Sequence, residues 1–176
     1  MNKIYRIFIS STFIDLKEER KVIIKSILRM HHFPVCMELF GAYSEKQSEV
    51  IRNAIDISDY YVLIIKRRYG SIEPTSGKSY TELEFDYAVS KGLPVFAFIF
   101  DEDSYQNANK VDCSRELENF KCKVMDKITV AWWSNRADLI SQLTASLYNE
   151  LRHKEFATVM NSLIKKNLVN NKIKCA

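Results

Sequence analysis

The sequence predicts an α/β fold in which a five-stranded parallel sheet of order 2-1-3-4-5 is covered by helices on both faces, giving three layers. Short apolar runs alternate with segments of helical periodicity along most of the chain. Two of these runs, Tyr60–Ile65 and Leu93–Phe100, are almost continuously apolar, as expected of parallel strands buried on both faces. The alternation of strands with helices and the two continuous apolar runs therefore predict the same architecture.

The first half of the chain supplies the first strands and helices. Ile4–Ile9 is a short apolar run, and Asp15–Met30 carries apolar residues at helical spacing, so a strand and a helix are expected in this order. A second apolar run, Phe33–Leu39, is expected to form strand two. The segment Ser44–Ile57 opens with the Ser-x-x-Gln spacing of a capping box, which predicts the next helix.

The second half continues the alternation. After the polar loop Lys66–Lys78, the pattern over Tyr80–Lys91 is helical, and Gly92 suits the left-handed residue that ends many helices. The remaining predicted elements are a helix, a strand and a helix at Ser114–Lys123, Ile128–Trp132 and Ser134–His153. We expect residues 1–155 to form one α/β domain with the flavodoxin-like strand order, and residues 156–176 to form a helical extension with a basic tail.

Composition narrows the functional classes. The net charge is only +4, which permits but does not favour nucleic acid as a partner. The four cysteines have no Cys-x-x-Cys spacing and no set of histidines and carboxylates stands out, so neither a metal site nor a prosthetic group is expected. The apolar runs are too short to span a bilayer, and we expect a soluble, cytoplasmic protein with no membrane partner.

The predicted topology locates a candidate site. In open parallel sheets, ligands bind beyond the carboxyl ends of the strands where the strand order reverses, here between strands one and three. The loop after strand one offers hydroxyls and backbone N–H groups that suit a phosphate or a sugar hydroxyl, but it lacks the Gly-Lys pair of a P-loop. Alternatively, its hydroxyls cap and order the loop. The candidate residues in this loop are Ser10, Ser11, Thr12 and Phe13.

The loop after strand three borders the same crevice. Arg68 would bind an anionic ligand, and Tyr69 would stack on a base. The same side chains would equally suit nucleic-acid phosphates, or a structural role in which the cation is solvated and the ring packs on the core.

The helix that follows contains two overlapping capping boxes. Ser79 with Glu82 and Thr81 with Glu84 both have the required spacing, although only one can mark the helix start. Glu82 is the better candidate for the cap. Glu84 would then lie about one turn inside the helix in partly apolar surroundings, where a carboxylate can hold ribose hydroxyls and stabilise positive charge at the anomeric carbon.

Several separate motifs follow one another along roughly residues 3–100: Ile7–Phe13 with Asp15-Leu16 and Glu19-Arg20, then Arg68-Tyr69-Gly70, then Ser79–Phe85 with Ala88 and Gly92–Val95. Together they resemble a bacterial domain family of uncharacterised function that is related to TIR domains.

A more remote similarity concerns Glu84. With Ala88 and the run Lys91–Val95, it is similar to the Glu-x-x-x-Ala and Gly-Lys-Pro-Val elements of nucleoside deoxyribosyltransferases and of TIR domains that cleave NAD. The resemblance implies that Glu84 works at the ribose of a substrate. Tyr80 stands where TIR domains commonly have a tryptophan, and Thr81 where they commonly have a cysteine.

The resemblance implies two alternative functions. One is an N-glycosidase for NAD or a nucleoside in bacterial defence or signalling, with Glu84 as the catalytic carboxylate and NAD as substrate rather than cofactor. In it, Ser10, Ser11 and Arg68 would position phosphates, and Phe13, Tyr69 or Tyr80 would contact the rest of the substrate. The other is a non-catalytic module that senses a nucleotide signal, or pairs with copies of itself and with an attached effector protein.

Overall fold

The computed structural model describes residues 3–39, 47–102 and 114–173. In these ranges the strands are β1 Arg6–Ser11, β2 Phe33–Val35, β3 Tyr60–Ile65, β4 Val95–Phe100 and β5 Val130–Trp133. The α-helices are α1 Lys17–Arg29, α2 Gln47–Asp56, α3 Tyr80–Ser90, α4 Arg115–Lys127 and α5 Arg136–Ile173. Ser44, the predicted cap of α2, lies outside the described residues.

The strands form one parallel sheet of order β2-β1-β3-β4-β5, which confirms the predicted topology. Right-handed crossovers put α1 on one face and α2, α3 and α4 on the other, because the strand order reverses after β2. On the α3 face, Phe8 stacks on Tyr61 with ring centroids 5.6 Å apart. Leu63 of β3, Phe85 of α3 and further buried side chains from α2, α3 and α4 complete this core.

Helix α3 settles which capping box is used. The Ser79 hydroxyl accepts a hydrogen bond from the backbone N–H of Glu82 at 3.1 Å, so Ser79 is the N-cap, as expected. Glu84 is consequently inside the helix and free of any capping role. At the other end Gly92 has φ 67° and its N–H reaches the carbonyl of Val89, which confirms it as the residue that ends the helix.

Some predicted boundaries were wrong. Strand two ends at Val35 rather than Leu39, because the chain turns into a short 3₁₀ helix, Met37–Leu39, that brings Glu38 to Arg20. Strand one begins and ends two residues later than predicted, and strand five is shifted to Val130–Trp133. The first shift places Ser10 and Ser11 inside the strand and not in the loop after it.

Helix α5 does not stop near His153 as predicted, but continues to Ile173. The chain divides into two compact units, Met1–Gln142 and Leu143–Ala176, and the second is the continuation of this helix with the chain end. No helix in the described part of the chain is both long and apolar enough to cross a membrane.

Burial should decide how much a side chain contributes to folding stability. Leu63 is fully buried in the central strand, whereas Leu28 on α1 is 51% exposed. Leu63→Ala should therefore lower the free energy of unfolding by about 2–5 kcal/mol. Leu28→Ala, the matched control, should change it by less than about 0.5 kcal/mol. Urea unfolding measures both; equal losses would contradict the assignment of the core.

Candidate functional site

A cleft of about 1180 Å³ opens at the carboxyl ends of β1 and β3, where the topology predicts a site. Loops β1–α1 and β3–α3 and the start of α3 form its walls. The structure brings all the predicted site residues together here, and all except Ser10 line the cleft directly: Ser11, Thr12, Phe13, Arg68, Tyr69, Tyr80 and Glu84.

Ser10 lies beneath the cleft and contacts Glu84. Its hydroxyl donates a hydrogen bond of 2.5 Å to Oε2 of Glu84, and the two residues are only 1% and 9% exposed. Because side chains alternate along a strand, Ser10 points to the same sheet face as Phe8, the face on which α3 packs. Strand β1 therefore delivers a hydroxyl, and α3 a carboxyl, to one buried point at the cleft floor.

Burial decides the ionisation of Glu84. Removal from water raises the pKa of its carboxyl to about 7, although the Ser10 hydrogen bond and the positive charge of Arg20 both oppose the rise. Tyr61 lies on the same face, and burial, reinforced by the charge of Glu84, raises the pKa of its phenol well above the usual value. Glu84 is thus a carboxyl that exchanges its proton near neutral pH.

The cation that acts on Glu84 is Arg20 of α1. Its side chain is 3% exposed and forms a bidentate pair with Glu38, with N–O distances of 2.5 and 2.6 Å. The remaining guanidinium nitrogen, Nη1, donates a hydrogen bond to the Ser11 hydroxyl at 2.8 Å, so Arg20 also fixes a residue of the cleft wall. Burial opposes ionisation of Glu38, but Arg20 lowers the pKa of that carboxyl overall.

The β1–α1 loop is ordered by its own side chains, as the alternative interpretation of its hydroxyls anticipated. The Ser11 hydroxyl donates to the Thr12 carbonyl, and the Thr12 hydroxyl donates to Asp15 at 2.5 Å. Asp15 also accepts the backbone N–H of Arg67 at 3.3 Å, which ties this loop to the β3–α3 loop. Phe13 remains 52% exposed at the cleft rim.

The β3–α3 loop offers a cation and a fixed aromatic ring. Arg68 is exposed at the cleft, and no described residue forms an ion pair with it. The Tyr69 hydroxyl donates to Glu82 at 2.6 Å. Gly70 has φ 100°, and a Cβ there would lie 3.1 Å from the Thr12 methyl, so glycine permits both the conformation and the close approach of the two loops.

Glu82 is a structural anchor two residues from Glu84. Besides Tyr69, its carboxylate binds Lys123 of α4 at 2.8 Å and approaches Lys78 at 3.8 Å. Asp86, one turn further along α3, pairs with both lysines. These contacts join α3, α4 and the preceding loop, and so fix the position of the helix that carries Glu84.

The arrangement can bind an anion and present a carboxylate. In the described part of the chain, no three histidine, cysteine or carboxylate side chains are grouped to hold a metal ion. The cleft offers the carboxyl of Glu84 with its partners Ser10 and Arg20, and the exposed guanidinium of Arg68 at its wall.

The sequence matches the model of a protein family described as a domain of unknown function (DUF4062) over residues 6–148. The chain belongs to this family. No curated protein matches it.

Two solved structures show the class of fold. The TIR domains of the activated Roq1 resistosome, which directly recognises the pathogen effector XopQ, superpose with a TM-score of 0.58 at 14% identity, over 81% of this chain and 99% of theirs. A metazoan TIR-STING receptor from C. gigas, in complex with 2′,3′-cGAMP, gives 0.50 at 17% identity, over 82% of this chain and 40% of its own. The protein therefore has a TIR-like fold, which confirms the family resemblance seen in the sequence.

The raised pKa of Glu84 has a consequence for stability. Between its usual pKa of 4.5 and about 7, the unfolded chain releases this proton while the folded protein keeps it. Stability is therefore lost as pH rises through this window. Glu84→Gln removes the titration, so its free energy of unfolding should improve relative to the wild type by as much as about 2–3 kcal/mol between pH 5 and pH 8. Urea unfolding at both pH values measures this; a pH-independent difference would contradict a raised pKa.

Proposed function

We propose that the protein is an N-glycosidase that acts on NAD or a closely related nucleotide. The single observation that carries the proposal is the Glu84 carboxyl, buried at the cleft floor on the Ser10 hydroxyl and titrating near neutral pH. A carboxylate with a perturbed pKa in a large cleft is a candidate for a chemical role. The similarity of its sequence segment to NAD-cleaving TIR domains and nucleoside deoxyribosyltransferases supports the same assignment.

The reaction requires the protein to hold the ribose in place and to present a negative charge beside it. The bond between the ribose anomeric carbon and the ring nitrogen breaks, and its electron pair stays on the nitrogen, so the positively charged pyridinium leaves as a neutral base. Ionised Glu84 accepts hydrogen bonds from the ribose hydroxyls and stabilises the positive charge that develops on the sugar. Water then adds to the anomeric carbon and releases a proton.

The rest of the cleft suits the anionic half of such a substrate. Arg68 is placed to pair with the phosphates, and the Ser11 hydroxyl lies at the same wall. Phe13 and Tyr80 offer ring faces for an aromatic base. The cleft of about 1180 Å³ is large enough for a whole nucleotide.

Loss of the Glu84 carboxylate should strongly slow the cleavage of NAD. Glu84→Gln keeps the shape of the side chain but removes the charge that stabilises the sugar, and we expect nicotinamide release from NAD to fall by about 10²–10⁴-fold. The control is Glu18→Gln, an equally conservative change on the exposed surface of α1, which should leave the rate unchanged. Chromatography of the products at high protein concentration measures the release. If the folded wild type binds NAD without cleaving it, the protein is instead the nucleotide-sensing module.

The pH profile distinguishes a chemical role of Glu84 from a structural one. The rate should rise with pH and level off above about 7, because only the ionised carboxylate stabilises the sugar cation. Ser10→Ala removes a hydrogen bond that favours the ionised form, so the inflection should move to higher pH. An inflection that stays in place in Ser10→Ala would argue that another group controls the rate.

A further inference from the structure

A second, smaller pocket of about 280 Å³ lies between α2 and α3. Its apolar walls come from Ile51 and Ile55 of α2 and from Leu83 of α3. Ser48 and Ser90 also line it. Its size is near the lower end for ligand pockets, so it suits a single ring and not a nucleotide.

Contacts between α2 and α3 hold one end of this pocket. Arg52, which lines it, lies over the ring of Tyr87 at 5.6 Å. The Tyr87 hydroxyl bonds the carboxylate of Asp56, and Lys91 pairs with the same carboxylate at 2.7 Å. The separation of α2 and α3 at this end is therefore held by a network of contacts, which keeps the pocket open in a defined shape.

The large cleft and the small pocket share two lining residues. Glu84 and Tyr80 line both of them, and no other residue is common to the two linings in the described part of the chain. These two residues therefore stand at the boundary between the two spaces, and a ligand whose reacting bond lies at Glu84 has one space on either side. The chemistry of the two differs: the large cleft has Arg68 exposed at its wall, and the small pocket is lined mainly by apolar side chains, with Arg52 and Asp86 as its other charged groups.

We propose that the pocket between α2 and α3 is a subsite for the uncharged aromatic base, and that Tyr80 divides it from the compartment for the ribose and phosphates. The proposal rests on the proposed function, because it places the two products of N-glycosidic cleavage on opposite sides of Glu84. The base becomes neutral when the bond breaks, which suits aliphatic walls, while the charged sugar phosphate stays near Arg68. The site would thereby accept NAD-like substrates whose base is a single ring.

Binding of the two products tests this division without requiring turnover. Wild-type protein should bind nicotinamide and ADP-ribose at the same time, as measured by ligand-observed NMR and calorimetry. Ser48→Trp and Ser90→Trp place an indole in the small pocket and should each weaken nicotinamide binding by about tenfold or more, equivalent to about 1.4 kcal/mol. They should leave ADP-ribose affinity within about twofold. Arg68→Ala should weaken ADP-ribose binding by about tenfold or more and leave nicotinamide affinity within about twofold.

The controls separate this inference from the proposed function. Ser71→Trp adds the same indole at the wall of the large cleft and should weaken ADP-ribose binding only. The subsite is refuted if the wild type binds no nicotinamide, if both pocket variants bind it undiminished, or if Arg68→Ala abolishes it. If the protein cleaves NAD but gives any of these binding results, the glycosidase function stands and the subsite is refuted. The expected binding pattern without cleavage leaves the subsite and removes the glycosidase. Circular dichroism confirms that each variant is folded.

Discussion

The structure of the site depends on one buried contact, the hydrogen bond between the Ser10 hydroxyl and the Glu84 carboxyl. A carboxylate that is removed from water loses solvation that one neutral hydroxyl and a nearby cation only partly replace, and its pKa of about 7 expresses that deficit. A glutamine at position 84 could accept the same hydrogen bond without this cost. The carboxyl therefore weakens the fold above neutral pH, and a destabilising group held by well-packed elements is typical of a functional site.

Helix α3 places its two inner glutamates in different surroundings. The cap at Ser79 sets where the helix begins, and this fixes the direction in which each later side chain points. Glu82 then meets Tyr69 and Lys123, partners that satisfy its charge, whereas Glu84 meets only a hydroxyl and a more distant arginine. The raised pKa of Glu84 follows from these surroundings and not from the helix itself.

The sequence predicted the sheet order, the cap at Ser79 and the position of the cleft, because each depends on local pattern or on general rules of chain topology. It did not predict the pair between Arg20 and Glu38. These residues are eighteen positions apart, and their contact requires the chain to leave strand two early for a 3₁₀ turn. The motif Glu19-Arg20 within the family resemblance was the only available signal. Likewise, only the folded sheet places Tyr61 beside Ser10.

Arg20 links this unpredicted pair to the ionisation of Glu84. Its guanidinium is already neutralised by Glu38, so the positive potential that reaches Glu84 is attenuated, and the pKa of Glu84 stays raised despite a buried arginine nearby. With the pair intact, Arg68 lies exposed at the cleft wall, and the pKa of Glu84 stays near 7. The early turn after strand two thus gives the two arginines of the cleft different surroundings, because Arg20 is paired with Glu38 and Arg68 is open to solvent.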